Sequence, residues 1–285
     1  MKPVNFTFKC LLSLALMTLS PIAGNAQGAK DFQGQATYIS KSSLDLGDWG
    51  ARLSEEQKKQ VKAQLKNRLE KTYTLTFNKT ESFFKENDKL DAISGATDSW
   101  GKNFAAGDQY KNVKTNAQIQ EQEFYGKRFL VKDSLQPISW KLGSETKQIG
   151  DYTCFKATAS IPTNELTWYS FSWDKLRQNS SATAEGTQET ASEETLQLTE
   201  VEAWYSPQIP VGHGPSEYWG LPGLILEVSA GDTTMLCSKL VLNPAERLEI
   251  KAPEKGKDIT KTQYQATIVE KMKEFRSNRT GRSRG

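Results

Sequence analysis

The sequence predicts a β-dominated α+β fold. Its main element is a curved antiparallel meander, a half-barrel or bowl, with one amphipathic helix in the N-terminal half and another at the C-terminus. Three observations predict it. Apolar and polar residues alternate with period two through much of residues 73–242. Turn dipeptides such as Tyr125-Gly126 and Gly150-Asp151 punctuate that alternation at hairpin spacing. Two capping boxes, Ser54-Glu55-Glu56-Gln57 and Thr260-Lys261-Thr262-Gln263, each open a stripe of apolar residues at helical spacing.

Residues 1–26 read as an export signal and not as part of the fold. Lys2 and Lys9 make a basic start, residues 10–19 form a short apolar run, and Pro21 ends it. Gly24-Asn25-Ala26 supplies small residues for cleavage before Gln27. The apolar run is too short to span a bilayer, and no later segment is long and apolar enough. Cys10 opens the run instead of closing it, which argues against a lipid anchor. The mature chain, about 259 residues, is therefore expected in the periplasm or outside the cell, as a single β-rich domain over residues 27–275.

A strand is expected over residues 34–39. The first capping box then starts a helix over 54–71, with Val61, Leu65 and Leu69 as its apolar stripe. Beyond it Tyr73, Leu75 and Phe77 alternate with threonines, and residues 82–85 pair back. Residues 89–108, rich in Gly, Ser, Asp and Asn, read as a long loop. Strands follow over 117–124, 127–131, 138–142, 147–149, 152–159 and 166–173, the last carrying Tyr169, Phe171 and Trp173 in alternation. Residues 174–199 are polar, without an aromatic residue, and bury too little surface to offset their ordering entropy. They are expected as a flexible polar loop.

Strands resume over 200–205, 224–229 and 233–242, and Asn243-Pro244 ends the series. Tyr264, Ile268, Met272 and Phe275 form the stripe of the C-terminal helix. A disordered basic tail is expected over residues 276–285, with Arg276, Arg279, Arg282 and Arg284. The formal charge of +3 sits at the two ends. Without the two leader lysines and the four tail arginines the body stands at −3, so no basic face for nucleic acid is expected.

The most specific stretch is Trp219-Gly220-Leu221-Pro222-Gly223-Leu224-Ile225-Leu226-Glu227-Val228. Pro222 presets φ for the second position of a type II turn, and Gly223 supplies the positive φ of the third. With Gly220 these are the expected structural turn residues. Leu224, Leu226 and Val228 are expected on one face of the strand that follows, Ile225 and Glu227 on the other. The stretch resembles the signature of the GLPGLI family of secreted bacterial proteins. Ile149-Gly150-Asp151-Tyr152-Thr153-Cys154-Phe155-Lys156-Ala157, Ala203-Trp204-Tyr205-Ser206-Pro207-Gln208-Ile209-Pro210, Phe129-Leu130-Val131-Lys132-Asp133 and Gly214-Pro215 extend the resemblance. It implies an exported, β-rich protein of a Gram-negative envelope, in the company of outer-membrane TonB-dependent transporters. The family has no settled biochemical activity to carry over, and no enzymatic activity and no cofactor are expected.

After signal removal two cysteines remain, Cys154 and Cys237, which export would allow to form a disulfide or leave as two buried thiols. His213, the single histidine, lies in a Gly- and Pro-rich loop. It could serve as a base or metal ligand, but it has no second histidine and no metal-ligand spacing around it. Ser144-Glu145-Thr146-Lys147 matches a Ser-x-x-Lys pattern. It joins two expected strands, where residues three apart face opposite ways, and not the helix start that the chemistry needs. The residues best placed to line a ligand surface are Trp204, Tyr205, Ile209, Pro210, His213, Tyr218 and Trp219, aromatics held on proline-stiffened loops. A long crossover packing its aromatics over the sheet explains the same residues. The expected function is non-enzymatic binding or accessory work in the envelope, with an outer-membrane transporter or another envelope protein as partner. A hydrolase using an acidic pair in the sheet concavity, and a structural or assembly protein, are the alternatives.

Overall fold

The computed structural model describes residues 32–43, 51–87, 104–173, 176 and 197–281. Residues 1–26, the expected export signal, and nearly all of the polar segment 174–199 lie outside the described residues. The elements are β1 (Gln33–Ser42), α1 (Glu55–Leu69), β2 (Glu70–Asn78), β3 (Glu81–Glu86), β4 (Gln109–Asn112), β5 (Ala117–Phe124), β6 (Lys127–Ser134) and β7 (Lys141–Ile149). They continue with β8 (Tyr152–Pro162), α2 (Thr163–Leu166), β9 (Leu198–Ser206), β10 (Leu224–Ala230), β11 (Thr233–Leu242), β12 (Lys257–Ile259) and α3 (Lys261–Gly281).

All the described strands join one 12-stranded sheet in the order β12-β6-β5-β4-β3-β2-β1-β11-β10-β9-β8-β7. It is two antiparallel meanders, β1 to β6 and β7 to β11, zipped together where β1 pairs with β11. The order dictates curvature. β6 and β7 stand ten ladder steps apart, about 48 Å in a flat sheet. The connection between them, residues 135–140, reaches at most about 25 Å fully extended. The sheet must therefore bend until its two ends approach, and it is an open, curved sheet and not a closed barrel.

Both capping boxes are formed. Ser54 and Gln57 bond reciprocally at α1, and Thr260 and Gln263 do so at α3. At the β5–β6 hairpin, Tyr125 (φ 47°) and Gly126 (φ 76°) both take the left-handed conformation of a type I′ turn. Tyr264, Ile268 and Met272 are buried, while Phe275, the fourth member of that stripe, is 43 % exposed and meets Tyr125 at 4.8 Å between ring centroids.

Several expectations are corrected. Aromatic alternation over 166–173 predicts a strand, but α2 and a turn occupy that stretch. Trp168 packs on Tyr264 of α3 and Phe171 on Phe104, so the aromatics answer to the helix side and not to a ladder. Residues 138–140 precede β7 as irregular chain, and Ser144 to Lys147 lie inside that strand instead of joining two. β4 follows directly after the expected loop, in a stretch where no strand is expected, and β12 pairs with β6 in parallel, the one parallel ladder of the sheet as described. α3 continues through Gly281, so residues 276–281 are helical where a disordered tail is expected. Cys154 and Cys237 are both free. β8 and β11 stand three ladder steps apart, about 14 Å along the sheet, where a disulfide needs Cα atoms within about 7 Å.

The turn before β10 also differs. Gly220 carries the positive φ, 91°, and Gly223 does not. Gly223 is required for another reason: a Cβ there would run into the Ser206 carbonyl, because the chain passes flush against the end of β9. A bulge between Ile225 and Glu227 then shifts the phase of β10. Leu224 and Leu226 enter one apolar cluster with Tyr38, Leu75 and Phe77, while Ile225 and Val228 enter a second with Val201, Ala203 and Tyr205.

Candidate functional site

Residues 207–223, between β9 and β10, form a crossover pinned at four places. Lys111 of β4 donates from Nζ to the carbonyls of Gly214 (3.0 Å), Ser216 (2.6 Å) and Tyr218 (3.3 Å). Ser216 sits at φ 48°, a strained position for a residue with a side chain, and the lysine holds it there. His213 lies 3.0 Å through Nε2 from the Asn78 carbonyl at the end of β2. Trp140 Nε1 donates to the Trp219 carbonyl at 2.8 Å, and Trp219 Nε1 donates in turn to the Gln136 carbonyl at 2.9 Å. Glu217 accepts from Gln118 Nε2 at 3.0 Å and from Trp168 Nε1 at 3.3 Å.

These bonds decide the role of the expected ligand residues. Trp204, Tyr205, Ile209, His213 and Tyr218 are all buried. Trp219 is half-buried with its indole N–H committed, and Pro210 is exposed, as are the turn residues Gly220 and Pro222. Trp204 is enclosed between charges: Lys147 Nζ lies 4.4 Å from its ring, Lys156 Nζ 5.8 Å, and its own N–H donates to Glu202. His213 is no base. Burial pulls its pKa down to about 4, with nearby Lys111 acting in the same direction, so the imidazole is neutral at pH 7. Donation through Nε2 leaves Nδ1 as a buried acceptor without a partner in the protein.

The strands that the crossover reaches through Lys111 and Gln118 carry an unusual face. On β5 every second residue faces inward, and these are Gln118, Gln120 and Gln122, each at most 3 % exposed, before Phe124. Gln109 of β4, opposite Gln120, is also buried. Their mutual bonds are long: Gln109 Nε2 to Gln120 Oε1 is 3.4 Å, and Gln118 Nε2 to the same oxygen is 3.5 Å. Gln109 Oε1 and Gln122 Nε2 have no partner among the described residues. A buried amide group without a hydrogen bond costs about 1–3 kcal/mol. Trp168 meets the strip through Glu217, which also accepts from Gln118. Burial and the Glu217 charge raise the hydroxyls of Tyr169 and Tyr218 above the ordinary phenol value, so both stay protonated donors. Burial pulls Lys111 down to about 8 and Glu217 pulls it back up; with three carbonyl acceptors as well, it is a cation at neutral pH.

Chemically the arrangement offers amide donors and acceptors, phenol donors and aromatic faces, with its one carboxylate and one ammonium already partnered. That suits an uncharged, hydrogen-bonding group. The sequence reading found Tyr218 but missed Gln109, Lys111, Gln118, Gln120, Gln122, Trp168, Tyr169 and Glu217. One signal was available: glutamines at period two ending in Phe124, opposite a face carrying Glu121 and Glu123. The neutral face turns inward and the charged one outward.

Residues 140–227 match the model of a family described as "Protein of unknown function (Porph_ging)". The Porph_ging match runs through β7 to β10 and takes in the whole crossover, but it stops short of the glutamine strip on β4 and β5. No curated protein matches the chain. Two solved structures are similar to it. "Structure of PNGF-II in C2 space group" is 14 % identical with a TM-score of 0.48, covering 84 % of this chain and 33 % of that one. "Structure of PNGF-II in P21 space group" is 13 % identical with a TM-score of 0.47 and the same coverage. The chain thus spans about a third of the length of these solved relatives.

Proposed function

We propose that this chain is an exported, non-enzymatic binding protein of a Gram-negative cell envelope, and that the buried glutamine strip is its ligand surface. The observation that carries this reading is the pair of buried, unpartnered amide atoms, Gln109 Oε1 and Gln122 Nε2, on a sheet face where apolar side chains would be more stable. The Trp219 to Val228 stretch supports membership of the GLPGLI family, and with it the periplasmic or secreted address and service to an outer-membrane TonB-dependent system. Binding is favoured over hydrolysis by an acidic pair. Glu81, bonded by Tyr110 and Asn78, and Glu202, bonded by Lys156 and Trp204, are both held below the ordinary carboxylate range, opposite to what a general acid needs.

Cross-linking the tagged protein in its native envelope, followed by mass spectrometry of attached proteins and small molecules, tests the reading. The wild type should retain a small molecule that the Gln109→Leu/Gln122→Leu variant loses. The same adducts on both proteins, or none on either, would refute it.

A further inference from the structure

Beyond the glutamine strip lies a cation without a counter-ion. Lys261, the first residue of α3, is 8 % exposed, and its ammonium makes neither an ion pair nor a hydrogen bond. Its one neighbour of note is the π face of Trp168, 5.5 Å from Nζ to ring centroid. A cation–π contact contributes about 0.5–2 kcal/mol, and no carboxylate among the described residues adds an ion pair to it. The position adds to the local positive field. Lys261 stands at the N-terminus of a 21-residue helix, where the backbone dipole is already positive, and the first turn contains no acidic residue.

Tyr264 lies one turn further along α3, on the same face, and its ring packs on the same indole at 5.7 Å. It is fully buried, and its hydroxyl has no partner among the described residues. Burial pushes that hydroxyl up to about 12, so it remains a donor. Trp168 connects this face to the strip, since its N–H donates to Glu217, which also accepts from Gln118.

We propose that Lys261, Tyr264 and Trp168 form a subsite for a single carboxylate carried by the ligand of the glutamine strip. One ammonium and one hydroxyl match the two oxygens of a carboxylate. A phosphate dianion would bring a second charge toward Glu217 with no further donor to receive it. The proposal rests on the binding reading above and refines it: an uncharged body on the amides, one anionic end at the start of α3.

Calorimetric titration of the full mature chain tests it with two matched pairs of probes: N-acetyl-glycylglycine against its C-terminal amide, and galacturonic acid against galactose. The pair that shows a carboxylate preference identifies the source as a peptide end or an acidic sugar. Lys261→Gln should weaken the carboxylate probe about tenfold and leave its neutral partner unchanged, while Lys261→Arg retains most of the affinity. Tyr264→Phe should weaken the same probe several-fold with a melting temperature no lower than the wild type's, because the hydroxyl has no bond among the described residues to lose. Equal binding of charged and neutral probes, no binding of either carboxylate, or an unaltered preference in Lys261→Gln would each overturn the subsite. Neutral-probe binding that still disappears in Gln109→Leu/Gln122→Leu would leave the strip standing without it.

Discussion

β10 and β5 lie on opposite sides of β1 in the same sheet, and both are buried, yet their chemistry is opposite. On β10, Leu224, Ile225, Leu226 and Val228 are each at most 2 % exposed, and the bulge lets them serve two apolar clusters. On β5 an equally enclosed face is made of glutamine amides with long bonds and two unpartnered atoms nearby. A buried sheet face needs only apolar surface to be stable. The β10 side meets that requirement, whereas the β5 side keeps polar groups whose burial lowers stability. The contrast separates the part of the sheet that folds the molecule from the part available for recognition.

The largest effect should come from exporting the chemistry of one side to the other. Leu226→Gln places an amide in the cluster of Tyr38, Leu75 and Phe77, losing apolar transfer energy and stranding a polar group. A loss of about 3–5 kcal/mol is expected from urea unfolding monitored by tryptophan fluorescence. A loss below about 1 kcal/mol would mean that the β10 side tolerates buried amides too, and the contrast would dissolve.

The seam between the two sides carries the next effect. His213 sits under the crossover, on the apolar side through Phe77 and on the polar side through Lys111. Its folded pKa, about 4, lies below the unfolded value near 6.5. The unfolded chain therefore takes up the proton first, so the stability contribution is complete above about pH 6.5 and is lost as the pH falls toward 4. The full span is worth about 3 kcal/mol. Unfolding free energies of wild type and His213→Gln at pH 7 and pH 4.5 should converge as the medium becomes acidic; parallel curves would remove the histidine from the seam.

Reading the sequence recovered the apolar side far better than the polar one, and the reason is physical. Period-two alternation reports a strand with one buried apolar face, so β1, β2, β5, β6, β8, β9, β10 and β11 were legible from residues such as Tyr73, Leu75 and Phe77. Both helix starts were legible because a capping box is a local device. β12, three residues long, and β4, four residues long, carry too little pattern to see. The aromatic run Tyr169, Phe171, Trp173 misleads because alternation does not say whether a ladder or a helix stands opposite. Gly223 was correctly singled out, but for its φ, when the cause is a close approach to Ser206 that only tertiary structure shows. The candidate site was hidden for a related reason: Gln118, Gln120 and Gln122 have the composition of a solvated face, and only tertiary contacts, Glu217 at Gln118 and Gly107 at Gln120, bury them.

The smallest effect is the most telling. Gln122 is 1 % exposed, and its amide nitrogen has no partner in the protein. Gln122→Leu is close to isosteric, so it removes an unsatisfied buried group without opening a cavity. It should raise the unfolding free energy by about 1 kcal/mol, the sign opposite to that of Leu226→Gln on the other side of the sheet. A gain in stability accompanied by loss of the retained small molecule would mean that the glutamine is held for recognition at the expense of the fold. A loss of more than about 1 kcal/mol would instead make the strip a fully satisfied part of the core, and the division of the sheet into a folding side and a recognition side would fail at its polar end.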